Sequence, residues 1–480
     1  MSRVVVLGGG ISGLTAAYRL SMVAPHVHVS VLEAADRLGG IVRTVREDGF
    51  VVEAGPDSFL ASKPAGLRLC RDLGMEHHLI GPTEENRGSF VLHLGHLHSL
   101  PEGLTGLVPS RLDPLLESDL FTPAGKTRLA REPEIPARAG EEDESLASFV
   151  RRRFGTEVYE RLIEPLMAGI YAGDGSLLSL QATFPQLREM EREHGSVIRA
   201  IAARSAPPAS GPTGFLAPRA GMEEIVEALE RHLGSVELRR GQVASRIERV
   251  ATGWKVCTNG GAQHPADAVI LAVPVAIAGQ IAGPVDAALG TALTSIPSAS
   301  SATVSLAFRR DDIAHPLRGF GYVIPRVAGS PALACTWVSS KWAYRAPPEF
   351  ALLRVFLGRY GHDVLLSETD DGLVALAREE LRATLRITAT PERRWVFRWP
   401  QVMPQYLVGH RETAARIKHR LDRLPGLYLA GNAYGGVGIP DCILGGEQAA
   451  GAALAHISGS PPPEKTGPAA QLKRGPQRAS

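Results

Sequence analysis

Cysteine and long apolar runs are both scarce in this sequence. Four cysteines occur among 480 residues, and none belongs to a C-x-x-C pair: Cys70, Cys257, Cys335 and Cys442. This excludes the spacing of a cysteine-based zinc site and is typical of a protein of the reduced cytosol. No stretch reaches the roughly 20 apolar residues of a membrane-spanning helix. The nearest, Val269 to Ala282, is interrupted by Pro274.

A strong excess of charge is also missing. Lysine and arginine total 52 and aspartate and glutamate total 50, which leaves a formal net charge of +2. Because no basic field covers the chain, the composition predicts no nucleic-acid partner. Hydrophobic residues make up 44%, as in ordinary soluble globular proteins, and the length allows two or three domains around a large core.

Glycine is concentrated in the first turn of the chain, in VVVLGGGISGLTAAYRL from Val4 to Leu20. The β-branched run Val4 to Leu7 predicts a buried parallel strand, and Ile11 to Leu20 predicts a helix. A second strand is predicted from Val27 to Leu32. The order of these elements predicts a βαβ unit of the Rossmann type, hence an α/β dinucleotide-binding domain.

The glycines of this unit have separate predicted roles. Gly8 permits the tight turn, Gly10 lets the backbone approach a pyrophosphate, and Gly13 lets the helix pack closely on the strand. Glu33 lies 20 residues after Gly13, at the position where an acid accepts the ribose hydroxyls. The same carboxylate disfavours NADP, because it would repel a 2′-phosphate.

A second glycine pair follows the acid and favours FAD over NAD. Glu33, Arg37, Gly39, Gly40 and Arg43 form the pattern E-x-x-x-R-x-G-G-x-x-R. The alternative is an ordinary loop with surface arginines. The pattern resembles the FAD-binding signature of the amine oxidase and phytoene desaturase superfamily.

A similar element recurs near the end of the chain, in LYLAGNAYGGVGIPDCILGGEQAA. Leu427 to Ala430 predicts a buried strand, which is followed by a glycine-rich turn and a helix that begins near Cys442. Backbone N–H groups at such a helix start can face a flavin carbonyl or a phosphate. A plain strand–turn–helix crossover is the alternative.

The middle of the chain is predicted to mix helices, strands and loops. Glu144 to Arg204 favours helices, and three strands and one helix follow: Ala268 to Val273, Ala302 to Phe308, Ala351 to Gly358 and Gly372 to Leu385. Glu132 to Glu144 and Ser205 to Gly214 are predicted loops. The Pro-rich, basic residues 458–480 are predicted to be disordered.

Four segments together resemble the oxygen-dependent porphyrinogen oxidases of haem biosynthesis. They are the first glycine unit with EAADRLGG, EAGPDSFLASKP at 53–64, LMAGIYAGDGSLLSLQATFPQLREMEREHGSVI at 166–198, and RWPQVMPQYLVGH at 398–410 with GNAYGGVGIPDCI at 431–443. The resemblance implies a discontinuous Rossmann-type FAD domain (1–75, 215–290 and 395–457), a helical, membrane-associated and substrate region (76–214), and a sheet-based substrate domain (291–394).

The resemblance also implies where FAD lies. Its pyrophosphate is expected on Gly8, Gly10 and Gly13, its ribose on Glu33, and its adenine side near the backbone of Val243. The isoalloxazine is expected against two loops and one turn: Gly39 with Gly40; Gly55 with Pro56; and Val437, Gly438 and Ile439. Arg37, Gly431 and Asn432 are expected among the other residues that bind the cofactor. No metal is implied, because His93, His96 and His98 lack an acid or cysteine nearby in sequence.

Two residues are implied on the substrate side. The carbonyl of Gly169 is expected to face the pyrrole N–H groups of a porphyrinogen, with a helix-packing glycine as the alternative. Arg87 is expected to bind a propionate, with a solvent-facing arginine as the alternative.

The family's reaction removes six electrons from a porphyrinogen, and dioxygen reoxidises the flavin with release of hydrogen peroxide. Catalysis is then centred on the flavin, and no acid–base dyad is expected. The sequence leaves several alternatives open: protoporphyrinogen or coproporphyrinogen as substrate, another amine oxidase or carotenoid desaturase, and a non-catalytic porphyrin-binding flavoprotein. It predicts a cytoplasmic protein, and leaves open peripheral membrane contact and a homodimer.

Overall fold

The structure is a computed structural model that describes residues 2–105, 107–109, 111–203, 214–362 and 367–460. The predicted loop from Ser205 to Gly214 lies almost wholly outside these residues, as does most of the predicted tail. Among the described residues, no helix has both the length and the apolar character needed to cross a membrane.

A five-stranded parallel sheet, here called the parallel sheet, confirms the predicted βαβ unit. Its strands lie in this order: Glu237–Arg239, His28–Leu32, Arg3–Leu7, Ala268–Leu271 and Leu427–Leu429. The helix predicted at Ile11 spans Ile11–Val23, and the last helix spans Ile439–Ile457.

The central strand is apolar on both faces because it separates two cores. Val4 and Val6 belong to the core that contains the first and last helices. Val5 and Leu7 belong to the opposite core, which contains Trp254. Successive strand side chains point to opposite faces, so a strand covered on both sides is a continuous apolar run rather than an alternating one.

A second, seven-stranded sheet, here called the long sheet, lies beside the parallel sheet. Its strands run in the order Arg393–Pro404, Ser298–Arg309, Phe350–Leu357, Ala332–Trp337, Gly321–Val323, Phe90–His93 and His96–Ser99. All neighbours are antiparallel except Gly321–Val323 with Phe90–His93. The helix Asp370–Leu385 packs on its core.

The long sheet differs from the predicted division of the chain. Two of its strands come from the region 76–214, which was assigned to helices, membrane association and substrate, and Arg393–Pro404 runs across the boundary placed at 395. The reason is that strands far apart in sequence pair with each other. Ser298–Arg309 hydrogen-bonds along almost its whole length to Arg393–Pro404. Sequence order does not reveal such pairs.

The helical region, defined here as residues 113–202, has its own apolar core. Its helices are Asp113–Glu117, Pro123–Ala130, Leu146–Phe154, Thr156–Val158, Glu164–Tyr171, Leu180–Thr183, Pro185–His194 and Val197–Ala202, with a π turn at Tyr159–Ile163. Arg153 is fully buried there and pairs with two fully buried carboxylates, those of Glu132 and Glu191.

The remaining elements connect these three parts. The strands are Thr44–Glu47, Phe50–Glu53, Phe59–Leu60, Leu79–Ile80, Leu104–Thr105, Val108–Pro109, Phe215–Pro218, Ala244–Val250, Gly253–Thr258 and Gln263–Ala266. The helices are Pro64–Asp72, Glu223–His232, Val275–Ala282, Ala287–Thr294, Val338–Lys341 and His410–Leu421.

Candidate functional site

The first glycine turn lies at the carboxyl edge of the parallel sheet. Gly8 has a φ of +103°, and a Cβ on it would collide with the carbonyl of Ala272. A Cβ on Gly13 would collide with the carbonyl of Gly8. Gly10 differs, because no heavy atom lies within 4 Å of where its Cβ would be. Gly8 and Gly13 therefore serve packing, whereas Gly10 leaves open space at the start of the first helix, where anions bind.

Glu33 follows the second strand and faces this turn. Its carboxylate accepts hydrogen bonds from the amides of Gly9 (2.6 Å) and Ala35 (2.8 Å). A carboxylate has about four lone-pair positions, so two remain for hydroxyl donors. The amide of Gln242 donates to the Glu33 carbonyl at 2.8 Å, which brings the neighbouring Val243 to the same edge.

The second glycine pair rests directly on the first turn. The amide of Gly39 donates to the carbonyl of Gly9 at 2.7 Å. Arg37 folds over the same loop and donates to the carbonyls of Leu38, at 2.9 Å, and Gly40. The tertiary fold thus brings the two glycine motifs into contact, and Arg37 holds the loop closed.

The Gly55–Pro56 loop is held from behind by the long sheet. Arg354 donates to the carbonyls of Ala54 (3.1 Å) and Gly55 (2.6 Å), and the indole of Trp399 donates to Ala54 at 2.8 Å. A Cβ on Gly55 would collide with the carbonyl of Ile41. The loop is therefore fixed against both the second glycine pair and the long sheet.

A half-buried ion pair lies beneath this loop. Asp57 accepts from the ammonium of Lys341 at 2.8 Å and from the indole of Trp342 at 3.3 Å. Burial opposes its ionisation, but the charges of Lys341 and Arg354 hold the pKa of Asp57 below its usual value. At Glu53, by contrast, burial outweighs the nearby charges and hydrogen bonds, and the pKa of this carboxyl is raised. The loop thus rests on an ionised carboxylate that is paired with Lys341 and lies in the field of the buried Arg354.

The glycine-rich turn at 431–438 lies at the same edge as the first turn. Gly431 has a φ of +133°, and the side-chain amide of Asn432 donates to the carbonyl of Val402 at 2.9 Å. Val437 packs against the core of the helical region. Gly438 is the N-cap of the last helix. The turn therefore joins the last strand of the parallel sheet, the long sheet and the helical region.

The last helix begins three residues before the position predicted near Cys442, at Ile439. Pro440 is compatible with a first helical turn, which needs no amide donor there. The amide of Gly438 donates to the carboxylate of Asp441 at 3.1 Å, and Lys63 pairs with the same carboxylate at 2.6 Å.

Gly169 lies near the end of the helix Glu164–Tyr171, with no heavy atom within 4 Å of where its Cβ would be. The neighbouring carbonyl of Ala168 accepts from Ala172, and that of Tyr171 accepts from the side chain of Gln405, each at 2.8 Å. In the described part of the chain, no donor reaches the carbonyl of Gly169. It is a free acceptor near a helix end, on an exposed residue.

Arg87 is placed differently from the other predicted residues. Its side chain is 75% exposed and pairs with Glu84 at 3.0 Å, as in the solvent-facing alternative. At the histidine cluster, His98 lies 3.2 Å from Asp119, an acid that is remote in sequence. Over the ranges that the structure describes, no group of three His, Cys, Asp or Glu side chains is arranged to hold a metal.

The sequence indicated no role for Arg354 or Tyr406, and Trp399 was expected only as a core or cavity-wall residue. Trp399 and Tyr406 lie in RWPQVMPQYLVGH, which was used for the family resemblance alone. Trp399 contacts Ala54, which is 345 residues away in sequence, and Tyr406 contacts the turn at 431–438 across 26 residues. No local pattern in the sequence predicts either contact.

Comparison with known proteins agrees with this geometry. The model of the "Flavin containing amine oxidoreductase" family matches residues 11–454. The Bacillus subtilis coproporphyrinogen III oxidase is 34% identical over 95% of this chain and 98% of its own length. The chloroplastic protoporphyrinogen oxidase of Nicotiana tabacum is 32% identical over 95% of this chain and 86% of its own. A crystal structure from Exiguobacterium sp. 255-15 has a TM-score of 0.83 at 34% identity, covering 94% of this chain and 98% of that one.

Proposed function

Because the chain belongs to the family of flavin-containing amine oxidoreductases, we propose that it oxidises a porphyrinogen to the corresponding porphyrin. The observation that carries this proposal is the match, over 95% of the chain, to relatives named for coproporphyrinogen III and for protoporphyrinogen. A match of that extent covers the long sheet and the helical region as well as the parallel sheet. It therefore supports a shared substrate class in addition to a shared cofactor.

FAD is the cofactor, and the first glycine turn fits it. The open space at Gly10 and the N-terminus of the first helix suit a pyrophosphate, and the two unused positions on Glu33 suit ribose hydroxyls. The isoalloxazine would be held by the second glycine pair, the Gly55–Pro56 loop and the turn at 431–438. When bound, FAD supplies two-electron oxidation.

On the substrate side, the free carbonyl of Gly169 accepts a pyrrole N–H group and so orients the macrocycle. Arg354 and Trp399 hold the Gly55–Pro56 loop in place, and we assign to this loop the exclusion of water from the bound flavin and substrate. Oxidation of a porphyrinogen to a porphyrin removes six electrons and six protons, so three dioxygen molecules are consumed and three molecules of hydrogen peroxide are released.

The test is aerobic oxidation of both porphyrinogens by the purified holoenzyme, followed through porphyrin fluorescence and peroxide release. Porphyrin formation at three peroxides per macrocycle supports the proposal, and the faster substrate identifies the physiological one. If neither porphyrinogen is oxidised while FAD stays bound, the proposal is wrong, and a desaturase, an amine oxidase or a non-catalytic flavoprotein replaces it.

A variant at Gly169 distinguishes an effect on substrate oxidation from an effect on FAD binding. Gly169→Val fills the open space beside the free carbonyl, so we expect porphyrin formation to fall at least tenfold while FAD affinity stays at the wild-type value. Gly234→Val is the matched control, since Gly234 is also exposed with nothing within 4 Å. Equal activity in both variants would remove Gly169 from the site.

A further inference from the structure

Tyr406 spans the glycine-rich turn at 431–438 with a single hydroxyl group. The hydroxyl donates to the carbonyl of Asn432 at 2.5 Å and accepts from the amide of Gly436 at 3.0 Å. Gly436 has a φ of +132°, a conformation that few residues adopt and that needs support from its surroundings. One side chain thus fixes the beginning and the end of the turn.

The segment that carries Tyr406 is itself firmly anchored. The carbonyl of Tyr406 accepts from the amide of Ser179 at 2.8 Å. The preceding residue, Gln405, is fully buried and donates to the carbonyl of Tyr171 at 2.8 Å. The ring of Tyr406 stacks on His410, with centroids 4.1 Å apart and planes 12° apart. The hydroxyl is therefore held in place by the helical region and by an aromatic neighbour.

The hydroxyl also keeps its proton. Tyr406 is 2% exposed, and burial raises its pKa well above the ordinary value. Burial lowers the pKa of His410 to about 4, so the stacked imidazole is neutral at neutral pH. Both hydrogen bonds to the turn are therefore present throughout the neutral range.

We propose that Tyr406 is a positioning residue for the flavin site, which holds the glycine-rich turn in the conformation that receives FAD before the cofactor binds. The proposal deepens the proposed function, because it rests on the isoalloxazine lying at Val437, Gly438 and Ile439. It does not depend on which substrate is oxidised. Preorganisation of this kind raises affinity by removing the cost of ordering the turn during binding.

The first test is Tyr406→Phe, which retains the ring and its stack on His410 but removes both hydrogen bonds. We expect the FAD dissociation constant to rise about tenfold, the usual effect of losing about one to two net hydrogen bonds. The matched control is Tyr322→Phe. Tyr322 lies in the long sheet and is equally buried, and its hydroxyl donates to Glu380 of the helix Asp370–Leu385 at 3.2 Å.

Affinity and thermal stability together separate positioning from a merely structural role. If Tyr406→Phe and Tyr322→Phe lower the melting temperature of the apoprotein alike but both bind FAD like the wild type, the proposal is overturned. Weaker FAD binding confined to Tyr406→Phe supports it. Flavin affinity is measured without substrate, so the result stands even if neither porphyrinogen proves to be oxidised.

The second test uses the unmodified apoprotein and needs no variant. Residue-resolved hydrogen exchange should show the amide of Gly436 protected before FAD is added, since it already donates to Tyr406. The amide of Gly435 has no acceptor among the described residues and should exchange rapidly. If the two glycines exchange at the same rate until FAD binds, the turn is ordered by the cofactor and the proposal fails.

Discussion

Replacing Gly10 with alanine separates cofactor binding from folding more cleanly than any other change in the first glycine turn. Gly10 has φ −75° and ψ 177°, ordinary extended backbone that alanine adopts without strain. No heavy atom lies within 4 Å of the position of the new Cβ. The apoprotein should therefore tolerate the methyl group, although the group fills space assigned here to the pyrophosphate.

The magnitudes follow from these two facts. Alanine restricts the unfolded chain more than glycine does, so the free energy of unfolding of the apoprotein should stay the same or rise by about 0.4–1 kcal/mol. A methyl group forced into a packed contact costs about 1–3 kcal/mol. At 1.4 kcal/mol per tenfold, the FAD dissociation constant should rise roughly five- to 150-fold.

The assay combines urea unfolding of flavin-free protein with FAD titration by isothermal calorimetry. An apoprotein of normal stability that binds FAD weakly confirms the prediction. Two results would refute the reasoning: an unstable Gly10→Ala apoprotein, which would mean that the space is not open, or unchanged FAD affinity, which would place the pyrophosphate elsewhere.

Two control variants show what an open position and a packed position should each do. Gly234→Ala adds a methyl group at an equally open position before the strand Glu237–Arg239, at the opposite edge of the parallel sheet. It should leave FAD affinity unchanged and shift the free energy of unfolding no more than Gly10→Ala does. Gly13→Ala should destabilise even the apoprotein, because its Cβ collides with the carbonyl of Gly8.

Three further predictions concern stability. Arg153→Met leaves the buried carboxylate of Glu132 without its cation, so the free energy of unfolding in urea should fall by about 3–5 kcal/mol. Burial lowers the pKa of His410 from 6.5 to about 4, so the unfolded chain binds the proton more readily, and stability should fall as the pH drops from 6.5 towards 4. By pH 4 this loss reaches about 3 kcal/mol, and His410→Phe should remove it from the pH dependence of unfolding. Thr303→Val removes one of the hydrogen bonds at the carbonyl of Ala54, and should cost about 1 kcal/mol in the same unfolding assay.

Each of these predictions has a result that contradicts it. Arg151→Met, on the same helix as Arg153 but half exposed, should cost less than about 1 kcal/mol, and equal losses would mean that the buried pair contributes nothing special. An unchanged acid slope in His410→Phe would show that this imidazole does not titrate as inferred. A loss of several kcal/mol in Thr303→Val would mean that Arg354 does not support the same carbonyl.

Local patterns in the sequence were sufficient to predict the βαβ unit of the parallel sheet and the packing of its first glycine turn. The run Val4 to Leu7, the three glycines and Glu33 lie within one continuous stretch, and their spacing is dictated by a single strand–turn–helix unit. A strand buried on both faces, a tight turn and a helix that packs closely each need particular residues at fixed offsets. For that reason the packing of Gly8 and Gly13 agrees with what the sequence predicted.

The tertiary structure alone decided which separate segments meet. The strand Arg393–Pro404 pairs into the long sheet. Arg354 donates hydrogen bonds to the carbonyls of Ala54 and Gly55, and the hydroxyl of Tyr406 is hydrogen-bonded to Asn432 and Gly436 of the turn at 431–438. Each contact satisfies a backbone carbonyl or amide that its own segment leaves unpaired, and a partner can come from anywhere in the chain. Periodicity and spacing carry information about neighbours along the chain, whereas these bonds depend on how the sheets and helices pack around the shared edge.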